Sequence, residues 1–327
     1  MGLALSVALK LVTAFSSLPL ASVVVPPLSP AALTAWLLWM AGALAWIADS
    51  RPPEAAGRPG PRAWPRAAAL AGASGLALLS WTAALAPAPG NLSVTFLDVG
   101  QGLSVVVRPP SGRTVLYDSG PPFAGGAVVV PFLRRTGAGR LPAVAFSHFH
   151  ADHTGGAAAV VRRLEVDMAI LPSRPGGADT SGAFRAFLDA ADRRGVPVRD
   201  AAEGDYLEGE PGVRISFLNP PRAGPVRSAR ADSGDENCLV MLVAYGATSL
   251  LLPADLGRRG EARLAVPPSS ALLLQVPHHG SARGGSRRFL AGLDPELAVV
   301  SCGRGNPFGH PPPATLIRYH EQGTRVL

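Results

Sequence analysis

The order of apolar and polar positions divides the chain into two parts with different expected structures. Three long apolar segments, at residues 3–25, 31–47 and 67–86, occupy most of the first part. Each segment is close to the ~20 residues that an α-helix needs to cross a lipid bilayer. We therefore predict an all-α transmembrane segment of about three helices within residues 1–88, with an Arg- and Pro-rich linker at residues 50–66.

From residue 90 onwards, short apolar runs alternate with amphipathic stretches. Strands that come in pairs and then alternate with helices predict two sheets flanked by helices. The expected fold is an α+β αββα sandwich over residues 90–327. Residues 220–234, rich in Gly, Pro, Arg and Ser, are expected to form a long surface loop. Strands are expected at residues 92–97, 103–107, 114–118, 143–147, 168–171, 213–218, 238–244, 249–252, 272–276 and 297–301, and helices at 130–135, 157–164, 181–194, 257–264, 287–293 and 314–322.

Charged residues are concentrated in the second part, which supports the same division. Of the 23 acidic residues, only Asp49 and Glu54 precede Asn91. The linker between the second and third apolar segments carries four arginines, whereas the turn at residues 26–30 carries no charge. The positive-inside rule places this linker in the cytoplasm, so the soluble domain is expected on the extracytoplasmic side of the membrane. The basic excess after Asn91 is too small to indicate nucleic-acid binding from charge alone.

The positions of the two cysteines argue against a cysteine-based metal or redox site. Cys238 and Cys302 lie in or at the end of predicted buried strands, where a thiol packs as a small apolar group. No Cys-x-x-Cys motif occurs, so neither a zinc finger nor a thioredoxin-like centre is expected.

A dense group of histidines with one aspartate is the strongest chemical signal in the sequence. Three of the seven histidines, His148, His150 and His153, fall within six positions together with Asp152. Imidazoles and carboxylates are the usual ligands of zinc and other divalent metals. The preceding strand delivers this group to a sheet edge, and paired glycines allow a tight turn before the next helix. An accidental surface cluster is the alternative, but the aspartate and the glycines favour a metal site.

The spacing His-x-His-x-Asp-His-x-Gly-Gly after a strand resembles the signature of the metallo-β-lactamase fold. The resemblance implies that His148 and His150 bind one metal and that Asp152 and His153 bind a second. The αββα sandwich predicted above is the architecture of that fold.

The same resemblance implies further ligands at later strand ends. Asp255 follows an apolar strand and matches the aspartate that bridges the two metals. For Asp255 alone, a helix N-cap is an equally simple interpretation, and the order of the other motifs favours the ligand. The His-His-Gly-Ser motif supplies the last histidine. His279, directly before the glycine, is favoured over His278, which stays open.

Motifs in the rest of the domain resemble the C-terminal domain of the ComEC family, the membrane channel for DNA uptake in natural competence. They are Phe-Leu-Asp-Val-Gly-Gln-Gly from residue 96, Leu-Tyr-Asp-Ser-Gly from 116, Ser-Cys-Gly from 301 and Asn-Pro-Phe-Gly-His-Pro from 306. The resemblance covers residue 92 to the end and implies that residues 1–88 are the last few spans of the channel domain. It implies degradation of the non-transported strand outside the bacterial cytoplasmic membrane. The implied partners are DNA, in single-stranded form, the membrane and other competence-channel components.

The sequence departs from the family pattern at three points, none of which removes a proposed ligand. Leu103 stands where the family usually has an acidic residue, and Pro-Ala-Asp at 253–255 replaces the usual Thr-Gly-Asp. Asp-Glu-Asn-Cys at 235–238 replaces Asn-Asn-x-Ser. The resemblance also implies that the chain is a fragment or a truncated version of a longer channel protein.

Several polar residues are expected to support the metals rather than to hold them. Asp118 is expected to order the site by hydrogen bonding, and Asp98 and Gln101 are candidates for the same supporting role. Asp152, besides binding metal, is expected to orient the nucleophilic water. His310 is a candidate for stabilising charge or protonating the leaving group, with a loop-structuring histidine as the alternative.

The ligand set predicts two divalent metal ions, manganese or zinc. The resemblance implies that they serve a phosphodiesterase or nuclease. Two alternatives remain open from the sequence. One is a hydrolase of the same fold acting on a small molecule, such as a lactam, a thioester or a cyclic nucleotide. The other is a non-catalytic domain that only guides DNA. An exposed groove with stacking aromatic side chains would favour DNA over a small molecule.

Overall fold

The computed structural model describes residues 91–173, 182–207, 212–222 and 233–327, together with the single residues 34 and 42. The three predicted membrane segments lie outside the described residues, apart from Thr34 and Gly42. No helix in the described part of the chain is long and apolar enough to cross a membrane. Contacts group Ala88–Leu133 with Ala138–Leu327 into one compact unit.

Short strands make up most of this unit. Their bounds are β1 Ser93–Phe96, β2 Val105–Arg108, β3 Val115–Tyr117, β4 Arg140–Leu141, β5 Ala143–Ala145, β6 Glu165–Val166, β7 Ala169–Pro172, β8 Val198–Ala201, β9 Tyr206–Leu207, β10 Val213–Asn219, β11 Val240–Tyr245, β12 Thr248–Leu252, β13 Ala271–Gln275, β14 Leu297–Val299 and β15 Arg325–Val326.

Helices connect the strands. They are α1 Pro122–Ala124, a π-helical turn Gly125–Val129, α2 Val130–Arg135, α3 Ala151–Thr154, α4 Ala157–Arg163, α5 Gly182–Arg194, α6 Ser233–Glu236, α7 Arg258–Arg263, a 3-10 segment Pro277–Gly280, α8 Arg287–Leu293 and α9 Pro313–Glu321.

The strands form two large sheets and a small one. The first sheet has the order β1-β2-β3-β5-β7-β8, antiparallel as far as β3 and parallel from there onwards. The second has the order β15-β14-β13-β12-β11-β10-β9, in which β12, β13, β14 and β15 run parallel. Strands β4 and β6 form a separate parallel pair. Strands covered on both faces, such as β3 and β5, are apolar throughout, as expected for buried parallel strands.

Two hydrophobic cores hold the layers together. The first lies between the sheets and includes Leu103 and Tyr117 from one side and Met241 from the other. The second joins the outer face of the first sheet to helices α4 and α5, through residues such as Val160 and Phe187. Side chains from α8 and α9 join the first core from the second sheet's side. The predicted αββα sandwich is therefore confirmed for the described residues.

The elements that sequence patterns did not predict are short or lack a periodic apolar pattern. They include α1, α3, α6 and the strands β4, β6, β8, β9 and β15. Strand β8, for example, reads Val-Arg-Asp-Ala with three exposed positions, so pairing alone defines it. Of the surface loop predicted at 220–234, residues 223–232 lie outside the described residues.

A cleft of about 700 Å³ opens between the two sheets near the amino ends of β5 and β7. Its lining combines apolar side chains of both sheets with polar residues that include Arg199 and Tyr206. It lies at the end of the sandwich opposite the carboxyl ends of these strands.

Candidate metal centre

The predicted ligands come from three loops at one edge of the sandwich. The loop after β5 carries Ser147 to His153, the loop after β12 carries Asp255, and the 3-10 segment after β13 carries His278 and His279. Because the carboxyl ends of parallel strands lie at the same edge of a sheet, the fold brings these loops together.

The donor atoms of the predicted ligands lie close together in pairs. Nε2 of His148 lies 2.9 Å from Nδ1 of His150, and Nε2 of His153 lies 3.2 Å from Nε2 of His279. Asp152 Oδ2 is 3.3 Å from His279 Nε2. These five side chains come from two separate loops, and each directs a nitrogen or carboxylate oxygen into a shared space.

Asp255 lies at the middle of this group. Its Oδ1 is 3.3 Å from Nε2 of His153 and 3.6 Å from Nε2 of His279. The same oxygen is buried and has no hydrogen-bond partner with good geometry. A buried carboxylate oxygen without a hydrogen bond is costly unless a cation compensates it. The position suits the bridging ligand predicted for Asp255.

The residues present fit divalent metal ions. Three overlapping sets each offer donor atoms within 4.8 Å of one another: His148, His150 and Asp235; His148, His153 and Asp255; and Asp152, His153 and His279. Imidazole with carboxylate is a donor combination that suits zinc and manganese.

Asp118 fixes the segment from Ser147 to His153 through hydrogen bonds. Its Oδ1 accepts the backbone N–H of Ser147 at 2.7 Å, and its Oδ2 accepts the Ser147 hydroxyl at 2.7 Å. Nδ1 of His153 also lies 2.7 Å from Oδ2. A donation from His153 Nδ1 to this carboxylate leaves Nε2 free to bind a metal, which is the usual arrangement behind a ligating histidine. The structure thus places Asp118 where its predicted supporting role requires.

His279 has the equivalent support from a backbone carbonyl. Its Nδ1 lies 2.9 Å from Ser301 O, so Nε2 again points into the cluster. His279 is buried, whereas His278 is half-buried and lies farther out, with Nε2 3.8 Å from Asp255 Oδ2. The geometry favours His279 as the ligand and leaves His278 at the rim.

The backbone around the centre is held in an uncommon conformation. Five non-glycine residues in the described part of the chain have positive φ, and four of them belong to these loops: Asp118, Ala254, His278 and His279. Left-handed backbone at such residues costs about 1–3 kcal/mol each and persists where the surroundings fix it. Its concentration here is typical of a functional site.

Burial and neighbouring charges shift the pKa values of His153 and Asp255 in opposite directions. Burial opposes protonation of His153, but the carboxylates of Asp255 and Asp118 outweigh it and raise the pKa of this imidazole well above its usual value. Burial would raise the pKa of Asp255, yet His153 and His279 hold it well below its usual range. Without metal, the centre is therefore a buried ion pair network.

Asp235 was not among the predicted ligands. Its Oδ1 lies 3.8 Å from Nδ1 of His150, and its Oδ2 lies 3.9 Å from Nδ1 of His278. It precedes β11, which is antiparallel to β12, so the start of β11 lies at the same edge as the end of β12. The pairing of β11 with β12 is the feature that would have identified Asp235 as a candidate. An acidic residue just before β11 lies at the same sheet edge as Asp255, which follows β12.

The other predicted supporting residues lie in the loops around the centre. Asp98 is exposed and accepts the N–H of Gly100 at 3.2 Å, so its contact is local. Gln101 accepts the N–H of Gly303 through Oε1 at 3.1 Å and so joins two loops. His310 lies beyond His278 and His279, and its buried Nδ1 has no hydrogen-bond partner among the described residues. Burial and the two neighbouring imidazoles lower the pKa of His310.

Glycines permit the close packing of these loops. A Cβ on Gly102 would come 2.4 Å from the carbonyl oxygen of Asp152. A Cβ on Gly156 would come 2.3 Å from the carbonyl oxygen of Ser119 and 2.6 Å from Gly125 N. The paired glycines of the motif therefore let the helix after the ligand loop approach neighbouring backbone.

Comparison with known proteins identifies relatives of this region. The metallo-beta-lactamase superfamily model matches residues 97–214. ComE operon protein 3 of Bacillus subtilis is 29% identical over 252 residues, covering 72% of this chain and 31% of that protein. Competence protein ComA of Neisseria gonorrhoeae is 33% identical over 238 residues, covering 72% of this chain and 30% of that protein. The chain therefore spans about a third of the length of these relatives.

Solved structures also align with this chain. Igni18, a metallo hydrolase from the archaeon Ignicoccus hospitalis, aligns over 72% of this chain and 94% of its own, with 14% identity and a TM-score of 0.46.

Proposed function

Because the chain belongs to the ComEC family over its metallo-β-lactamase domain, we propose that it is a metal-dependent phosphodiesterase that degrades single-stranded DNA. The observation that carries the proposal is the convergence of His153, His279, Asp152 and Asp255. Each has a donor atom 3.2 to 3.6 Å from that of at least one other member of the group.

The proposed ligands divide into two positions. His148 and His150 would hold one ion, and Asp152, His153 and His279 the other, with Asp255 between them. When bound, a pair of manganese or zinc ions would supply Lewis acidity toward a phosphodiester and a hydroxide near neutral pH. Asp118 and the Ser301 carbonyl fix the orientation of His153 and His279, so both present Nε2 before any ion arrives.

Asp152 is the proposed residue that orients water. A third of its side chain is exposed, so it faces the substrate side of the centre. Burial acts to raise its pKa, but the hydrogen bond with His279 and the charge of His153 hold the pKa well below its usual range. The group is therefore an ionised hydrogen-bond acceptor at neutral pH, able to align a water molecule for attack.

His310 is the proposed donor to the substrate. Its lowered pKa keeps the ring neutral near pH 7, and a neutral imidazole carries one N–H that can donate to a phosphate oxygen. The role proposed for His310 is therefore a hydrogen bond that stabilises charge on the phosphate.

Two arginines lie in a small pocket beside the centre. The pocket has a volume of about 190 Å³, and its polar lining consists of Arg258, Arg283, His278 and the carboxylates of Asp235 and Glu236. Arg258 donates to the carbonyls of Arg283 and Ala282, which holds its guanidinium in place. Guanidinium groups bind phosphate through their N–H donors. We assign a phosphate adjacent to the cleaved one to Arg258 and Arg283, through the donors that do not bond to these carbonyls.

The family also suggests the biological setting. We propose that the chain acts in DNA uptake during natural competence, at the bacterial cytoplasmic membrane, together with other channel components. Residues 1–88 would anchor it through about three helices, and the arginines at 50–66 support an extracytoplasmic location of the domain at 90–327.

Hydrolysis of a panel of substrates tests the proposed function. The purified full chain, supplied with Mn²⁺ or Zn²⁺, is incubated with single-stranded DNA, a cyclic dinucleotide, a β-lactam and a thioester. We expect DNA cleavage that stops when EDTA is added. Cleavage of the lactam or the thioester alone would show that the protein is a small-molecule hydrolase and not a nuclease. Metal binding without hydrolysis of any substrate would support a domain that only guides DNA.

A further inference from the structure

An exposed aromatic ring lies on the loop that carries His310. Phe308 is 65% exposed, the highest value among the large apolar side chains of the described residues. A single exposed apolar residue is common on protein surfaces and needs no explanation by itself. This ring, however, stacks on His310, with ring centroids 5.7 Å apart and an angle of 22° between the planes.

The loop that presents the ring is held rigidly. Asn306 donates through Nδ2 to the carbonyls of Gly303 at 2.9 Å and His310 at 2.6 Å. Its Oδ1 accepts the N–H of Phe308 at 3.1 Å and that of His310 at 3.0 Å. The Asn306 side chain therefore both donates to and accepts from the backbone of residues 303–310. A ring held in this way loses little conformational entropy when a ligand stacks on it.

Both ends of this loop are attached to the candidate metal centre. At one end, Ser301 donates its hydroxyl to Gly102 O, and its carbonyl lies against His279 Nδ1. At the other end, Pro311 packs on Gly280, where an added Cβ would come 2.8 Å from the proline Cβ. The Phe308–His310 pair is thus positioned beside the ligand loop rather than on a distant surface.

A second exposed aromatic side chain lies in the short helix α1. Phe123 is 62% exposed, and its Cζ lies 3.8 Å from the position of a Cβ on Gly100. The next residue, Gln101, bonds to Gly303, at the start of the Phe308 loop. The segments around the centre therefore carry two aromatic faces open to solvent.

We propose that the ring of Phe308 stacks on an unpaired nucleobase next to the phosphate at the metal centre, which makes single-stranded DNA the preferred form of the substrate. The inference rests on the proposed phosphodiesterase function and names the residue that recognises the substrate. Every base has a π face, so stacking tolerates any sequence. Bases in a duplex already stack on their neighbours, so this contact requires a single strand or an extruded base.

The test compares Phe308→Ala with the wild-type full chain on two probes of equal length. One is a single-stranded oligodeoxynucleotide, and the other is an oligomer of the same backbone in which every position is abasic. Stacking is worth about 1–3 kcal/mol per base, so we expect kcat/KM for the first probe to fall about 5- to 150-fold. We expect no change for the abasic probe. Phe308→Trp should restore cleavage of the first probe.

A binding measurement separates recognition from catalysis. In EDTA, fluorescence anisotropy with the labelled oligodeoxynucleotide should show weaker binding by Phe308→Ala, by a similar factor. Tyr206→Ala is the matched control, because Tyr206 is 52% exposed and lines the cleft at the opposite end of the sandwich. Binding and cleavage by this control should equal those of the wild type.

Three outcomes would overturn the inference. An equal loss on both probes would show that Phe308 only shapes the His310 loop. Unchanged cleavage and binding by Phe308→Ala, with an active wild-type chain, would remove the stacking role and leave the phosphodiesterase intact, and would point to a membrane or protein contact for this ring. A wild-type chain that cleaves no DNA would remove the proposed function itself, and this inference with it.

Discussion

At the scale of single residues, the centre depends on groups that would not contact a metal. Asp118 accepts hydrogen bonds from the Ser147 N–H and hydroxyl and lies 2.7 Å from His153 Nδ1, all within a fully buried pocket. Its negative charge fixes both the orientation of the His153 ring and the nitrogen that carries the proton. The loss of this one carboxylate should therefore disturb several ligands at once.

Replacing Asp118 by Asn should weaken metal binding. The amide keeps the shape of the side chain, but its NH₂ group cannot accept the hydrogen bonds that the carboxylate accepts from Ser147 and His153. The substitution also removes the negative charge that supports His153. We expect the affinity for Mn²⁺ or Zn²⁺ to fall about 10- to 100-fold, measured by competition with a chelating dye. Asp167→Asn, at an exposed residue paired with Arg140, is the control and should bind metal like the wild type. Equal affinities for Asp118→Asn and the control would show that Asp118 does not support the ligands.

The stability of the metal-free protein should depend on pH in a defined direction. The pKa of His153 is raised, so its contribution is present below about pH 6.5 and is lost as the pH rises through the folded-state pKa. The pKa of Asp255 is lowered, so its contribution is present above about pH 4 and is lost as the pH falls through its folded-state value. We expect maximal stability between these limits, measured by urea denaturation in EDTA. Stability that rises steadily above pH 6.5 would contradict this account.

Sequence patterns predicted most of the residues that meet at the centre, because each follows a strand in a recognisable motif. Asp255 and His279 required the family resemblance, and the topology explains why they reach His153. Asp235 could not be found from local pattern, since its proximity to His150 depends on β11 running antiparallel to β12. Asp98 shows the opposite case, where a motif residue forms only a local turn.

At the scale of elements, the helices that flank the ligand loop approach each other through glycine. Gly156 is the N-cap of α4, and an added Cβ there would clash with the carbonyl oxygen of Ser119 and the nitrogen of Gly125. Both contacts are with backbone, which cannot rotate away as a side chain does. The π-helical turn that contains Gly125 therefore packs on α4 only because neither residue has a side chain.

Gly156→Ala should destabilise the domain, while a matched glycine should not. We expect a loss of about 1–3 kcal/mol in the free energy of unfolding, the usual cost of overpacking. Gly139 has open space around its Cβ position and no positive φ, so Gly139→Ala should leave stability unchanged or raise it by about 0.4–1 kcal/mol. Urea denaturation of both variants measures the difference. Equal stabilities would show that the backbones are not in close contact in solution.

Long periodic elements were predictable and short paired ones were not. Helix α5 buries Phe184, Phe187, Ala190 and Ala191 at helical spacing, so its pattern is visible in the sequence. Strands β4 and β6 have two residues each and form because the chain brings them side by side. Two-residue strands have no periodicity to detect, and only the fold defines them.

At the scale of the whole molecule, charge becomes informative only once the fold is known. The basic excess in the sequence is too small to indicate a nucleic-acid partner, yet the fold places Arg258 and Arg283 in one pocket beside His278. Composition averages over the surface, whereas binding depends on where the charges are concentrated.

Replacing both Arg258 and Arg283 by alanine should reduce the salt dependence of DNA binding. Each lost phosphate contact lowers the slope of log K against log salt by about 0.7 for a single strand. Anisotropy titrations from low to moderate salt, in EDTA, give the slopes. Arg140→Ala, with Arg140 exposed and paired with Asp167, is the control and should keep the wild-type slope. An unchanged slope in the double variant would show that DNA phosphates do not contact Arg258 or Arg283.

The central claim is that the cluster holds catalytic metal for cleavage of a DNA phosphodiester. The most direct measurement follows cleavage of labelled single-stranded DNA while Mn²⁺ or Zn²⁺ is titrated into the full chain, beside an Asp152→Ala, His150→Ala double variant. We expect activity that rises until two ions are bound per chain and that is lost in the variant. Cleavage that the variant retains, or two bound ions with no cleavage, would contradict a catalytic metal centre acting on DNA.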